Sequence, residues 1–271
     1  MEEKKLPLIL KIFFILIILI VVIVLYARYI NPYSFKVKEV AVTLDTLNSD
    51  YNGFKIVQFS DIHYDRTVNI DKLKKIVKEI NKLNPDIVVF TGDLLDNKNL
   101  SEKDRNNIIK YFKKINCKLF KFAVIGDYDK KYLNIYKDIL EESNFTLLDN
   151  TSKLVYYNSK EPLNFIGITN LNNLEELYSN DYFNITLTHK PDNIKKLSNT
   201  TLVIAGHSLG GQFKIPFIGG IKKIKGANTY IDDYYQVNNT KLYISNGLGT
   251  QDISMRIFNT PSITLYRLYN Y

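Results

Sequence analysis

Apolar residues crowd into one unbroken block near the start of the chain and then break into short runs. Residues 8–27 are nearly all apolar, with Lys11 as the interruption. Roughly 20 residues at ~1.5 Å rise cover the ~30 Å hydrocarbon core of a bilayer. The block is therefore expected to be a membrane-spanning helix, the span of an anchor formed by residues 1–33. Lys11 is placed to snorkel to the headgroups, and Tyr26, Tyr29 and Tyr33 suit the interfacial belt. A cleaved signal peptide has a shorter apolar region and a small-x-small site, and none follows Val24. No cysteine lies nearby to carry a lipid, so an uncleaved single-span anchor is expected. Lys4, Lys5 and Lys11 on one side balance Arg28, Lys36 and Lys38 on the other, so counting charges sets no orientation. A short basic head usually stays inside, which predicts a single-pass cell-membrane protein with an extracytoplasmic domain.

After residues 31–34 the pattern alternates between strand and helix signals. Residues 37–44 alternate in β fashion and 54–59 form a short apolar run. Residues 71–83 place Leu73, Ile76, Val77, Ile80 and Leu83 on one helical face, and Pro85 ends that helix. Residues 87–90 read as a buried strand. Ser101 with Asp104 resembles a capping box opening a helix that buries Ile108, Ile109, Phe112 and Ile115. A strand at 119–125 and a helix at 131–142 follow. The second half is richer in strands, at 153–157, 163–168, 184–188, 201–205, 241–245 and 263–268. Gly-Gly at 210–211 and 219–220 and Asn-Gly at 246–247 mark turns. Such a sequence predicts one layered α/β domain over residues 34–271, with no repeat and no second soluble domain.

Composition alters this picture little. The chain has 271 residues, of which 45% are hydrophobic and 24% charged, enough for a large core and far from the disordered regime. The net charge of +8 suits an anionic partner, whether nucleic acid, an anionic membrane face or a phosphorylated substrate. Most lysines recur at helical spacing, as on solvated faces, so no nucleic-acid partner is expected. The lone Cys117 has no disulfide partner and is expected to be a small buried hydrophobe.

The chemistry gathers directly after strands. Asp61-Ile62-His63, Gly92-Asp93, Gly126-Asp127-Tyr128-Asp129, His189 and Gly206-His207 each follow an apolar run, and these positions include all three histidines. Ligands of α/β sheets collect at the carboxyl ends of strands, so the clusters are expected to converge. One Gly-Asp or one His after a strand is usually only a turn or a satisfied polar group. Together, imidazoles and carboxylates form a ligand set for Zn, Mn or Fe. Residues 206–210 also spell Gly-His-Ser-Leu-Gly, the G-x-S-x-G elbow of a serine hydrolase with Ser208 as nucleophile. That reading requires a helix after Ser208 and a histidine downstream. Pro216, Gly219 and Gly220 interrupt the following stretch, and no histidine follows His207.

In this order, the residues resemble the calcineurin-like metallophosphoesterase superfamily, in a bacterial membrane-associated subgroup. The family's blocks are Asp-x-His, Gly-Asp, Gly-Asn-His-(Asp/Glu), a lone His and Gly-His-x-His. The runs 56–63, 85–94, 188–192, 206–212 and 242–250 look like those blocks and their flanks. The resemblance implies a two-sheet α/β sandwich flanked by helices and a site for two divalent ions such as Mn, Fe or Zn. Asp61 and His63 would hold one ion, Asp93 would bridge, and Asp127, His189 and His207 would hold the other. It also implies hydrolysis of a phosphate ester or pyrophosphate, and the membrane anchor suggests a lipid-linked substrate. Tyr128, Asp127 and His207 would be the catalytic residues.

Three positions depart from the family pattern. Asp127 replaces an asparagine and can still coordinate. Tyr128 replaces a histidine, and a phenol is a poorer proton donor near neutrality. Leu209 replaces the last histidine and cannot ligate, so the first ion is expected to bind more weakly. These departures keep a second reading open, a pseudoenzyme of the same fold that binds or regulates.

Overall fold

The computed structural model describes residues 7–96 and 100–271, so Lys4 and Lys5 of the expected charge balance lie outside the described residues. The apolar block forms α1 (Leu8–Tyr29), two residues longer than expected. Its final turn continues because Ile30 N–H still reaches Tyr26 O, and Pro32 then turns the chain. Most of α1 is exposed, but Ala27 is buried against the domain.

The strands are β1 (Lys36–Thr43), β2 (Lys55–Phe59), β3 (Ile87–Phe90), β4 (Phe120–Ala123), β5 (Thr146–Leu147), β6 (Thr151–Val155), β7 (Leu163–Ile168), β8 (Phe183–Thr188), β9 (Leu202–Ala205), β10 (Lys214–Ile215), β11 (Gly219–Gly220), β12 (Tyr234–Val237), β13 (Thr240–Ile244) and β14 (Ser262–Tyr269). Helices α2 (Ile70–Lys82), α3 (Glu102–Lys113) and α4 (Leu133–Glu142) lie between them in sequence. One six-stranded sheet has the order β1-β14-β2-β3-β4-β5 and the other β12-β13-β9-β8-β7-β6. Strands β2 to β5 run parallel, as do β7, β8, β9 and β13. This is the expected α/β sandwich of two sheets flanked by helices.

Side-chain alternation explains the layers. On β2, Val57 and Phe59 face α2, α3 and α4, packing with Leu73, Ile76, Phe112 and Ile139. Ile56 faces the other sheet, where it packs with Phe165, Ile185, Leu202 and Ile204. The remaining inward residue, Gln58, is fully buried and fully satisfied. Its Nε2 donates to Thr91 Oγ1 (2.8 Å) and Ala205 O (2.7 Å), and its Oε1 accepts from Tyr266 OH (2.7 Å). This polar tie joins the two sheets just below the ends of β3 and β9.

The capping signals form as expected. Asn69 accepts from Lys72 N (3.0 Å) to open α2, and Ser101 accepts from Asp104 N (3.1 Å) to open α3. Helix α4 begins later than expected because a 3-10 turn, Asp129–Tyr132, occupies its first positions. Gly219-Gly220 is no turn but the return strand β11, pairing with β10 across residues 216–218. Strand β12 was not apparent from the sequence. It pairs with β13 through a two-residue Asn238-Asn239 turn, with Asn238 at φ 51°. Cys117 is half-buried at the core's edge rather than enclosed.

Candidate metal centre

The carboxyl ends of β2, β3, β4, β8 and β9 meet at one point, and backbone hydrogen bonds lock their loops together. Asp61 N donates to Gly92 O (2.9 Å), His63 N to Asp93 O (3.1 Å) and Gly206 N to His189 O (3.0 Å). Residues Asp61, His63, Asp93, His207 and Leu209 all adopt positive φ, between 44° and 69°. Left-handed backbone is costly for side chains with a Cβ and concentrates at functional sites. Two glycines allow the close approach. A Cβ on Gly126 would lie 2.2 Å from Asp93 Oδ1, and one on Gly206 would lie 2.2 Å from Ser60 Oγ and 2.8 Å from Asp61 Oδ2.

Two sets of buried donors result. Asp61, His63 and Asp93 bring donor atoms within 4.8 Å of one another, and so do Asp93, His189 and His207. Asp93 belongs to both: its Oδ2 lies 3.1 Å from His189 Nε2 and 3.8 Å from His63 Nε2. The tautomers follow from the acceptors. His189 Nδ1 faces Thr91 O (2.7 Å) and His207 Nε2 faces Lys225 O (2.9 Å). A carbonyl only accepts, so each of these nitrogens carries its proton. That leaves His189 Nε2 and His207 Nδ1 facing each other at 3.0 Å, with opposed lone pairs when both rings are neutral. A proton on His189 Nε2, which also faces Asp93 Oδ2 at 3.1 Å, relieves that opposition, and a divalent ion held by the same nitrogens and carboxylate would take the proton's place, so the donor set fits a cation.

The electrostatics agree. Burial pulls His189 toward neutrality, but the Asp93 and Asp61 charges outweigh it and push its pKa up to about 10. Burial and the charge on His189 push His207 down to about 4. Burial works to raise Asp93, yet His189, His63 and the Tyr128 N–H (2.8 Å) hold it well below the usual carboxylate range. Asp61 moves the other way, raised by burial and by Asp93 against the pull of His189. Opposed shifts in adjacent carboxylates are the signature of a crowded anionic site.

Other expected residues stand at the rim. Asp127, about a third exposed, pairs with Lys190 Nζ (2.8 Å) and belongs to neither three-donor set. The Tyr128 ring stands edge-on to His63, centroids 5.0 Å apart, and its hydroxyl accepts from Gln251 Nε2 (3.3 Å). Leu209 is buried, and its carbonyl accepts from Arg256 and Asn259. The Arg256 guanidinium, fully buried, donates Nε and Nη2 to Gly249 O at 3.0 and 2.6 Å. Burial pushes it down to about 9, with Asp61 pulling back upward.

Three supporting residues escaped the sequence reading. Asp129 accepts from Asp93 N (2.7 Å), Leu94 N (2.9 Å) and Gly126 N (2.9 Å), fixing the β3 and β4 loops together. Its place in Gly126-Asp127-Tyr128-Asp129 was visible, but its inward direction was not. Asp96 takes Arg66 on Oδ2 and turns Oδ1 toward His63 Nδ1 (3.5 Å), where it can orient the ring. Arg256 had no sequence signal.

Ser208 is not an elbow nucleophile. Its Oγ donates to Ile231 O (2.9 Å) and accepts from Gly210 N (3.0 Å), and a short 3-10 turn follows in place of an α-helix. Ser208→Ala is expected to cost about 1 kcal/mol of stability and to leave any hydrolytic rate of the chain as it was. A loss of turnover in the variant would reinstate the serine reading.

The profile of the calcineurin-like phosphoesterase family matches residues 54–239. The chain is 30% identical over 263 residues to the uncharacterized metallophosphoesterase YkuE of Bacillus subtilis (strain 168), covering 90% of this chain and 88% of that protein. It is 26% identical over 254 residues to the transmembrane protein with metallophosphoesterase domain of Danio rerio, covering 84% of this chain but 56% of that one. It is 22% identical over 313 residues to the UDP-2,3-diacylglucosamine pyrophosphatase LpxG of Chlamydia muridarum, covering 90% and 92%.

Proposed function

The chain belongs to the calcineurin-like phosphoesterase family, and from that premise we propose that it hydrolyses a phosphate ester or pyrophosphate at a membrane. The observation that carries this reading is the position of Asp93, one carboxylate shared by two buried three-donor sets. Asp61 and His63 would hold one divalent ion, His189 and His207 the other, with Asp93 between them. Asp127 would join the second by exchanging Lys190 for the ion. Divalent ions held by these residues would supply charge that steadies a phosphate and makes water more acidic.

The chain's own residues prepare that chemistry. Thr91 O and Lys225 O accept the other ring protons, so His207 Nδ1 and, once its proton leaves, His189 Nε2 are the nitrogens left to ligate. Asp129 fixes the backbone that carries Asp93. Tyr128, beside His63 at the rim, offers a hydroxyl donor to a phosphate oxygen or leaving group. Anchoring by α1, with the domain outside the cytoplasm, would bring lipid-borne substrates to the site. The relative named as a diacylglucosamine pyrophosphatase supports a lipid-linked pyrophosphate.

The buried Leu209, where the family places a ligand, favours a second reading: a binding module of the same fold without turnover. Purified full chain with Mn²⁺ separates the two by metal content and by hydrolysis of aryl phosphate mono- and diesters. Less than one ion per chain, with no rate above a metal-free control, would sink the enzyme reading. Leu209→His is expected to raise metal content toward two per chain and the rate by about 10-fold or more, the scale of a restored metal-site contact.

A further inference from the structure

We propose that the β10–β11 hairpin and the neighbouring loop 251–259 form a second membrane contact that seats the metal centre against the lipid surface. The proposal rests on α1 spanning that bilayer.

The hairpin tip is the least covered apolar surface of the domain. Phe217 is fully exposed and Ile218 is 74% exposed, with Ile215 and Ile221 exposed on the flanking positions. Ile253 and Phe258 are exposed on the loop. Leaving such a cluster in water is unfavourable, and patches of this kind mark interaction sites.

These two segments are one unit. Phe213 bridges to Ile257, Lys214 N donates to Ile257 O (2.9 Å), and Gln212 Nε2 donates to Ile253 O (2.8 Å) and Met255 O (3.0 Å). The loop in turn grips the end of α1. Arg256 N donates to Ala27 O (2.9 Å), Arg28 Nη1 to Ser254 O (2.7 Å) and Asn31 Nδ2 to Arg256 O (3.1 Å). Ala27 lies two residues before the helix ends, about 3 Å along its axis. The loop therefore sits where α1 leaves the hydrocarbon, and Ile253 and Phe258 flank that contact.

Position identifies the occupant as lipid rather than protein, because the patch lies beside the end of the anchor helix. Lys214 and Lys222 are paired with Asp232 (2.9 Å) and Asp252 (2.7 Å), while Lys223 and Lys225 follow the hairpin in sequence, and each cation near an anionic surface contributes about 1 kcal/mol. Apolar side chains that dip below the headgroups with lysines nearby are the arrangement of an interfacial anchor. The patch is also continuous with α1, whose exposed apolar faces need lipid.

The loop reaches the site through Arg256, which donates Nε and Nη2 to Gly249 O at 3.0 and 2.6 Å, while Gly249 N donates to Asp61 O (2.7 Å). Five residues beyond the hairpin, Lys225 O holds His207 (2.9 Å). Seating the hairpin would thus hold the metal centre beside lipid headgroups.

The chain contains no tryptophan, so Phe217→Trp, Leu16→Trp and Tyr156→Trp each create a sole indole, excited selectively at the red edge beyond tyrosine absorption. Full-length variants would be reconstituted in vesicles of equal phosphatidylcholine and phosphatidylglycerol, brominated at shallow or deep acyl positions. Phe217→Trp should be blue-shifted and quenched most by shallow bromines, as an apolar group ~5–10 Å below the headgroup boundary would be. Leu16→Trp should be quenched most by deep bromines, and Tyr156→Trp by neither. Quenching at Leu16→Trp without quenching at Phe217→Trp would overturn the hairpin contact and leave the anchor standing. An unquenched Leu16→Trp would overturn the anchor and the contact with it. A blue-shifted but unquenched Phe217→Trp would assign the patch to a protein partner or second copy and overturn the lipid proposal.

Discussion

Asp93→Asn is expected to empty both halves of the metal centre and to cut Mn²⁺-dependent hydrolysis by more than ~10²-fold. Changes to groups that only support metal ligands cost about 10–100-fold, and a carboxylate shared by both donor sets should exceed that range. Asn retains an oxygen to accept the Tyr128 N–H that Asp93 Oδ1 now takes at 2.8 Å. It replaces the anionic Oδ2, which lies 3.1 Å from His189 Nε2, with a neutral NH₂ that cannot ligate. The backbone of the β3 loop, held by Asp129, should stay in place. Metal analysis of the purified full chain, with rates on an aryl phosphate, checks the result. A variant that kept parental metal content would remove Asp93 from its shared role.

Asp129→Ala should produce the largest loss of stability. The carboxylate is completely buried and accepts from the N–H groups of Asp93, Leu94 and Gly126. Burial and the Asp93 charge push its pKa up to about 7, against the three N–H groups that favour the ionised form. Each buried donor left without an acceptor costs ~1–3 kcal/mol, reduced where water enters the space. A total of about 3 kcal/mol corresponds to a drop in Tm of ~6–12 °C for a domain of this size. Metal affinity should fall too, because the Asp93 N–H would no longer be pinned. Asp129→Asn keeps one accepting oxygen and should lose less. Thermal melts with and without Mn²⁺ read both effects, and a parental Tm for Asp129→Ala would deny it the bracing role.

The contrast between Asp127 and Asp129 shows where sequence reading stops. Both lie in the same four-residue turn after β4, and the family pattern draws attention to Asp127. In the structure Asp127 turns outward to Lys190, whereas Asp129 turns inward beneath Asp93. A 3-10 turn beginning at Asp129 sets that difference, and its side-chain directions depend on the β3 loop 35 residues away. Asp96 and Arg256 were missed for the same reason. Each acts through a partner brought close only by the fold, as with Arg256 and Leu209, 47 residues apart.

Legible in the sequence were the membrane-length helix, the alternation that separates the two sheets, and the placement of acids and histidines after strands. Those features are local: apolar run length, period and neighbouring turn residues encode them within about twenty positions. It took the folded arrangement to make Asp93 a member of two donor sets, to bring His189 Nε2 against His207 Nδ1, and to clasp the end of α1 with loop 251–259. These depend on contacts between segments 18 to 226 residues apart, which packing and buried hydrogen bonding select once the sheets have closed over their core.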